Sequence, residues 1–217
     1  TEAEEEWILQ GRGYSRRMGA IAWSLGRRIK KRRVMKSMAD SVIRLKRQLR
    51  YQGTILKIYE DTVLANGHEA HWDFIHHDGA AAVLPVTDDG KILMVRQYRN
   101  ALDRETLEIP AGKLDAADEP KIQCAYRELE EETGYRTEHM EYLMSVNTTV
   151  AFCDEAIDIF VARDLIPSHQ HLDEDEVIDV EAWELKDLLE LIYSGKMTDA
   201  KTVAAITAYA VKFGGGK

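Results

Sequence analysis

The sequence predicts an α+β protein in which helices sandwich a mixed sheet. Two observations carry that prediction. Runs with strand periodicity, several placed as hairpins, alternate with only a few helical patterns. Two of those helical patterns run into glycines suited to left-handed caps, Gly134 and Gly195. A third observation sets the limits of this body. Residues 11–50 hold fourteen Lys and Arg against one acid, Asp40, whereas residues 51–217 sum to −18. The shift predicts a basic helical extension over 1–43 and a folded domain over 44–217.

The extension reads as helix because Met18, Ile21, Ala22, Leu25 and Ile29 form one apolar stripe, with "RRIKKRR" (Arg27–Arg33) on the polar face. Val42, Leu45 and Leu49 continue that spacing. Such a helix suits nucleic acid, an anionic membrane surface or an acidic partner; packing against the acidic body or a second subunit is the favoured reading. The chain opens on Thr1, not Met, which reads as a processed or engineered start. From Tyr51 the pattern turns to strands. "TILKIYEDTVL" and "HWDFIHH" flank an Asn66–Gly67 turn, and "AAAVLPVT" and "KILMVRQYR" flank "DDG", a hairpin signal. "TLEIP" ends at Pro110, Glu119–Glu132 is helix, and "EYLMSV", "AIDIFVA" and "VIDVEAW" are strands. "LKDLLELIYSG" and "DAKTVAAITAYAVKF" are the last helices.

Composition excludes several classes. No apolar run approaches the roughly 18–20 residues that span a bilayer. No apolar signal core follows the acidic start, so export is not expected. Two cysteines, Cys124 and Cys153, outside any CxxC pair, indicate a reducing compartment, the cytoplasm, and neither disulfides nor a zinc site.

The chemistry lies in "RELEEETGY", residues 127–135. Glu128, Glu131 and Glu132 share one helical face, since residues three and four apart are neighbours, while Glu130 points elsewhere. Like charges at that spacing cost a few tenths of a kcal/mol per pair. Taken alone, such a run is more often a solvated face. As a ligand set, its hard oxygens suit Mg²⁺ or Mn²⁺ shared with a substrate's phosphates.

The flanks decide between those readings. "GKLDAADEPKIQCAYRELEEETGY" resembles the Nudix box, in which a glycine loop leads into an acidic helix. Glu119, Arg127, Glu128, Leu129, Glu131, Glu132, Gly134 and Tyr135 match it in identity and spacing. Six residues, not five, separate Gly112 from Glu119; a one-residue loop insertion is preferred over Asp118 taking the acidic place. The resemblance implies an α/β/α sandwich and hydrolysis of a nucleoside diphosphate linked to another moiety. Metal ions there polarise phosphoryl oxygens while a metal-oriented water attacks phosphorus. It implies Glu128 and Glu132 as metal ligands, Glu131 as an assisting and catalytic acid, and the Ala111 carbonyl as a further ligand.

"VRQYR", "LEIPAGK", "FCDEAI" and "GKMTDAKT" are similar to the ADP-ribose pyrophosphatase branch, over about Arg44–Val211. That likeness implies a Mg²⁺-dependent enzyme splitting ADP-ribose into AMP and ribose 5-phosphate, as a homodimer with swapped N-terminal strands. It implies Arg99 on the diphosphate and Trp72, with Asp73 beside it, on the nucleotide; core packing is the competing reading for Trp72. The likeness also implies a loop glutamate that acts as general base or completes the metal site, and the acidic run "LDEDE" offers Glu174 or Glu176 for it, against a simply solvated loop. Val150 stands where the branch commonly has proline, and Ala151 where it has glycine. Another nucleoside diphosphate derivative (a GDP-sugar, NADH, an oxidised nucleotide) is therefore the rival substrate. A nucleotide-sensing module using the basic leader is the rival class.

Overall fold

The computed structural model describes residues 41–116 and 118–214. The basic leader therefore lies, through residue 40, outside the described residues. The chain divides into two compact units, residues 1–45 with 63–70 and residues 46–62 with 71–217.

Three strands, β1 (Val42–Gln52), β2 (Lys57–Ala65) and β3 (His68–His76), form a sheet in that order. The β2–β3 turn is as expected: Asn66 and Gly67 take φ of 52° and 82°, the positive angles that an Asn-Gly hairpin turn needs. The expected helical continuation through Val42, Leu45 and Leu49 is not found, because these residues lie in β1. The same stretch also carries a two-residue period, Ile43, Leu45, Leu49 and Tyr51 alternating with Arg44, Lys46, Gln48 and Arg50. Pairing with β2 selects the second period. Arg47 makes the choice concrete: its Nε and Nη2 donate to both Asp61 oxygens at 2.7 and 2.6 Å. Its guanidinium also lies 3.6 Å from the centre of the Phe74 ring.

The remaining strands are β4 (Ala80–Pro85), β5 (Ile92–Arg99), β6 (Arg104–Glu108), β7 (Ala111–Lys113), β8 (Tyr135–Arg136), β9 (His139–Asn147), β10 (Ala156–Arg163), β11 (Ile166–Pro167) and β12 (Ile178–Trp183). The helices are α1 (Lys121–Thr133), α2 (Leu185–Tyr193) and α3 (Ala200–Phe213). A mixed sheet runs β7-β4-β10-β9, with β4 and β10 parallel; a second runs β12-β5-β6, and β8 pairs with β11. The expected β4–β5 hairpin keeps its turn but not its ladder. Gly90 has φ 83° and the Thr87 amide donates to the Lys91 carbonyl, yet beyond one Val86–Ile92 bridge the strands join different sheets. The reason is burial: β4 is covered on both faces, which favours a central place beside parallel β10 over an edge in a hairpin.

That two-sided burial yields the sandwich. Ala80, Ala82 and Leu84 point into a core with Ile157, Ile159, Leu188 and Ile206, the last two from α2 and α3. Ala81 and Val83 point the other way, onto Cys124, Ala125 and Leu129 of α1. Alternation along one strand thus separates the carboxylate helix from the two later helices. Helix α1 starts two residues later than expected, because Pro120 is its N-cap with φ −62° and ψ 125°. It ends as expected on Gly134, φ 70° and ψ 23°, whose amide bonds the Glu130 carbonyl. Among the described residues no helix is long and apolar enough to cross a membrane.

Candidate active site

Helix α1 sets Glu128 and Glu132 inward, with only 8% and 4% exposure. Arg127 is drawn across the acids: its Nη1 donates to Glu128 Oε1 at 2.6 Å and to Glu131 Oε2 at 2.9 Å. Its Nη2 reaches the Lys113 carbonyl at 3.0 Å, tying the helix to the loop before it. Glu130 faces away, as its register requires, and accepts from the Ser168 hydroxyl.

The preceding loop is shaped around these carboxylates. The Ala111 amide donates to Glu132 Oε2 at 3.0 Å. At Gly112 a Cβ would fall 1.9 Å from Glu128 Oε1, so the absence of a side chain is what lets that carboxylate lie where it does. The loop before the helix meets it through Glu119, not through Asp118. Glu119 accepts from the Asp115 amide at 2.7 Å and lies 3.6 Å from Arg127 Nε, whereas Asp118 is exposed.

Burial pushes Glu128 up to about 7 against the opposing charge of Arg127, with Glu131 and Glu176 adding to the rise. Burial also pushes Glu132 up to about 8, and Glu128 and Glu176 raise it further. Two buried acids held above their ordinary range lack sufficient positive charge nearby, the electrostatic setting that a divalent cation relieves. Among the described residues no three His, Cys, Asp or Glu converge as a preformed cage. Mg²⁺ does not require one, since it retains waters and is held by one or two carboxylates plus substrate phosphates. The donor set fits such an ion.

Ala111 and Gly112, which touch the two carboxylates, also line a cavity of about 570 Å³. Arg99 lines the same cavity and holds Glu108 by paired bonds of 2.7 Å from Nε and Nη2. Its Nη1 makes no hydrogen bond among the described residues, which leaves a donor for an anion. Glu108 is 2% exposed and also binds Thr106 and Lys201. Lys201 in turn holds Asp199, the N-cap of α3, at 2.9 Å. Burial alone would raise Glu108, but the hydrogen bonds of Arg99 and Lys201 and the charge of Lys201 prevail and hold it at about 2.

A carboxyl depressed from 4.5 to about 2 contributes stability above its unfolded value and loses it as pH falls through the folded one. That contribution is about 3 kcal/mol at neutral pH by the usual 1.36 kcal/mol per unit. Thermal melts are expected to fall as acid is added from about pH 5 to 2. Lys201→Met, which removes one partner, is expected to begin that fall at higher pH.

The other predicted residues lie elsewhere. Trp72 and Asp73 line a separate cavity with Ile58, His71 and Phe152, and share no lining residue with the cavity of Arg99. Trp72 is 48% exposed, so core packing does not account for it. Val150 is exposed in a turn closed by the Phe152 and Cys153 amides on the Thr149 carbonyl; neither Val150 nor Ala151 needs a positive φ there. Of the loop acids, Glu176 is near enough to rank among the main charges that raise Glu128 and Glu132. Glu108 and Lys201 escaped the sequence reading, although both sit in stretches singled out there, "LEIPAGK" and "GKMTDAKT". The usable signal is that the two stretches carry opposite charges available for long-range pairing, Glu108 in the first and Lys201 in the second.

A NUDIX domain model matches residues 76–206. The chain is 42% identical over 175 residues to an ADP-ribose pyrophosphatase of Bacillus subtilis, spanning 79% of this chain and 93% of that one. It is 42% identical over 159 residues to a methanol dehydrogenase activator of Bacillus methanolicus, spanning 72% and 85%. Among solved structures, an ADP compounds hydrolase matches with a TM-score of 0.72 at 20% identity, over 81% of this chain and 95% of that one, which is a likeness of fold.

Proposed function

The chain belongs to the Nudix family of hydrolases, and from that membership we propose that it splits the diphosphate of ADP-ribose into AMP and ribose 5-phosphate. The observation that carries the reading is the buried Glu128–Glu132 pair set against Ala111 and Gly112, the same two residues that line the cavity of Arg99. Glu128 and Glu132, with the Ala111 carbonyl, would hold a divalent ion, Mg²⁺ or Mn²⁺, with Glu131 assisting. When bound, such an ion supplies Lewis-acid stabilisation of phosphoryl charge and acidifies a water. Arg99 offers its remaining donor to the diphosphate, with Glu108 and Lys201 fixing the guanidinium plane. Glu176, rather than Glu174, takes the proton of the attacking water, and the products separate at the former P–O–P bridge.

Trp72 stacks on the adenine, with Asp73 beside it, from a second copy of the chain. A homodimer with swapped N-terminal strands is supported by the exposed apolar residues of β1, Ile43, Leu45, Leu49 and Tyr51, and by the separation of the Trp72 cavity from that of Arg99. Residues 44–217 form the hydrolase domain and 1–43 a basic extension, without a favoured nucleic-acid or membrane role. Free Cys124 and Cys153 fit a reducing compartment, the cytoplasm.

A panel of ADP-ribose, GDP-mannose, NADH and an oxidised nucleotide with Mg²⁺ tests the reading. ADP-ribose is expected to give the highest kcat/KM. Trp72→Ala is expected to raise its KM roughly 5- to 100-fold, the worth of one stacked base. Preference for another substrate, with Trp72→Ala inert, would overturn the assignment.

A further inference from the structure

The segment before the acidic loop is sewn to the carboxyl end of α1. The Ser168 amide donates to the Gly134 carbonyl at 2.7 Å, and its hydroxyl to Glu130 Oε1. Gln170 Nε2 donates to the Glu132 carbonyl at 2.7 Å, and the His171 amide to the Glu131 carbonyl at 2.9 Å. The same Gln170 nitrogen reaches the Ile178 carbonyl at 3.4 Å, on the far stem of the loop. An amide NH₂ has two hydrogens, and here one serves the helix and the other serves the start of β12. Gly134 makes room: a Cβ there would come within 3.1 Å of the Gln170 amide.

Only residues 172–177 hang between these stems. Their tip closes on itself, with the Glu176 amide on the Asp173 carbonyl at 3.0 Å and the Asp173 amide on Glu176 Oε2 at 3.2 Å. A loop this short, fixed at both ends, has little freedom in where it places its acid. The carbonyls used as anchors belong to Glu131 and Glu132, whose side chains form the site.

We propose that Gln170, Ser168 and Glu130 are positioning residues that set Glu176 over the Glu128–Glu132 pair by tying both stems of its loop to the site. This rests on the reading of Glu176 as the base. Glu130, the one acid of the helix that faces away from its neighbours, thereby gains a role through Ser168.

The test is steady-state ADP-ribose hydrolysis with Mg²⁺ by the full chain, alongside amide hydrogen exchange. Gln170→Ala is expected to lower kcat about 10- to 100-fold, as the loss of a supporting hydrogen bond does, with KM little changed. In a Glu176→Gln background the same change is expected to cost nothing further; full additivity would overturn the proposal. Glu130→Gln, which keeps the acceptor oxygen, is expected to restore what Glu130→Ala loses. If Glu176→Gln alone keeps full kcat, the assignment of the base falls, and exchange then decides the seam by itself. Faster exchange at residues 171–177 in Gln170→Ala, with 121–128 unchanged, supports the tie, and unchanged exchange refutes it. Ser168→Ala provides the same comparison should Gln170→Ala fail to fold.

Discussion

Replacing Glu132 by glutamine is expected to abolish Mg²⁺-dependent turnover while leaving the fold in place. The side chain is 4% exposed, and glutamine keeps its shape and an oxygen for the Ala111 amide. What it loses is the charge that an ion requires. Metal stabilisation of a phosphoryl transition state is worth several kcal/mol, so at 1.36 kcal/mol per tenfold the loss in kcat is about 10³-fold or more. The stability consequence has the opposite sign. A carboxyl held at about 8 adds stability to the metal-free fold at low pH and loses it as pH rises through that value. Without metal, the wild-type melting temperature is therefore expected to fall as the solution passes from about pH 4.5 to about 8, and Glu132→Gln to flatten that fall. Retained Mg²⁺-dependent hydrolysis in the variant would remove Glu132 from the ligand set.

Gly112→Ala is the second large effect, and it acts on a neighbour. The added carbon would overlap Glu128 at 1.9 Å from Oε1 and 2.2 Å from Cδ. The colliding group is the end of a flexible side chain, so the backbone can stay while the carboxylate swings aside. Misplacing a reacting group by about 1 Å costs on the order of 100-fold, which is the expected loss in kcat. A weaker Mg²⁺ dependence with an almost unchanged melting temperature is the accompanying signature. A variant that unfolds instead would show that the loop, rather than the carboxylate, takes the strain.

The legible parts of the molecule are those whose cause is local. The face shared by Glu128, Glu131 and Glu132, the left-handed end at Gly134 and the Asn66–Gly67 turn each follow from a few consecutive residues. The β4–β5 hairpin was misjudged because its turn is local but the choice of partner is not: β4 takes β10, far along the chain, to cover both its faces. In β1 two periods coexist, and only pairing decides between them. The Glu108–Lys201 bond joins residues 93 positions apart, and Glu130 meets Ser168 across 38. No periodicity encodes such meetings. Trp72 is ambiguous for another reason, since an aromatic in a strand fits a core or a ligand equally well, and its exposure excludes the core alone.

Strand β4 has a consequence for how the molecule can change. Its odd-numbered side chains meet the helix that carries the acids, and its even-numbered ones meet the layer to which α3 contributes Ile206, on the same helix as the cavity-lining Lys201. The acid-bearing helix and the layer of α3 thus pack on opposite sides of a shared wall. Substitutions behind one side can accumulate without passing through the packing of the other. Modularity, at the scale of a single strand, lets one layer repack while the other stays as it is.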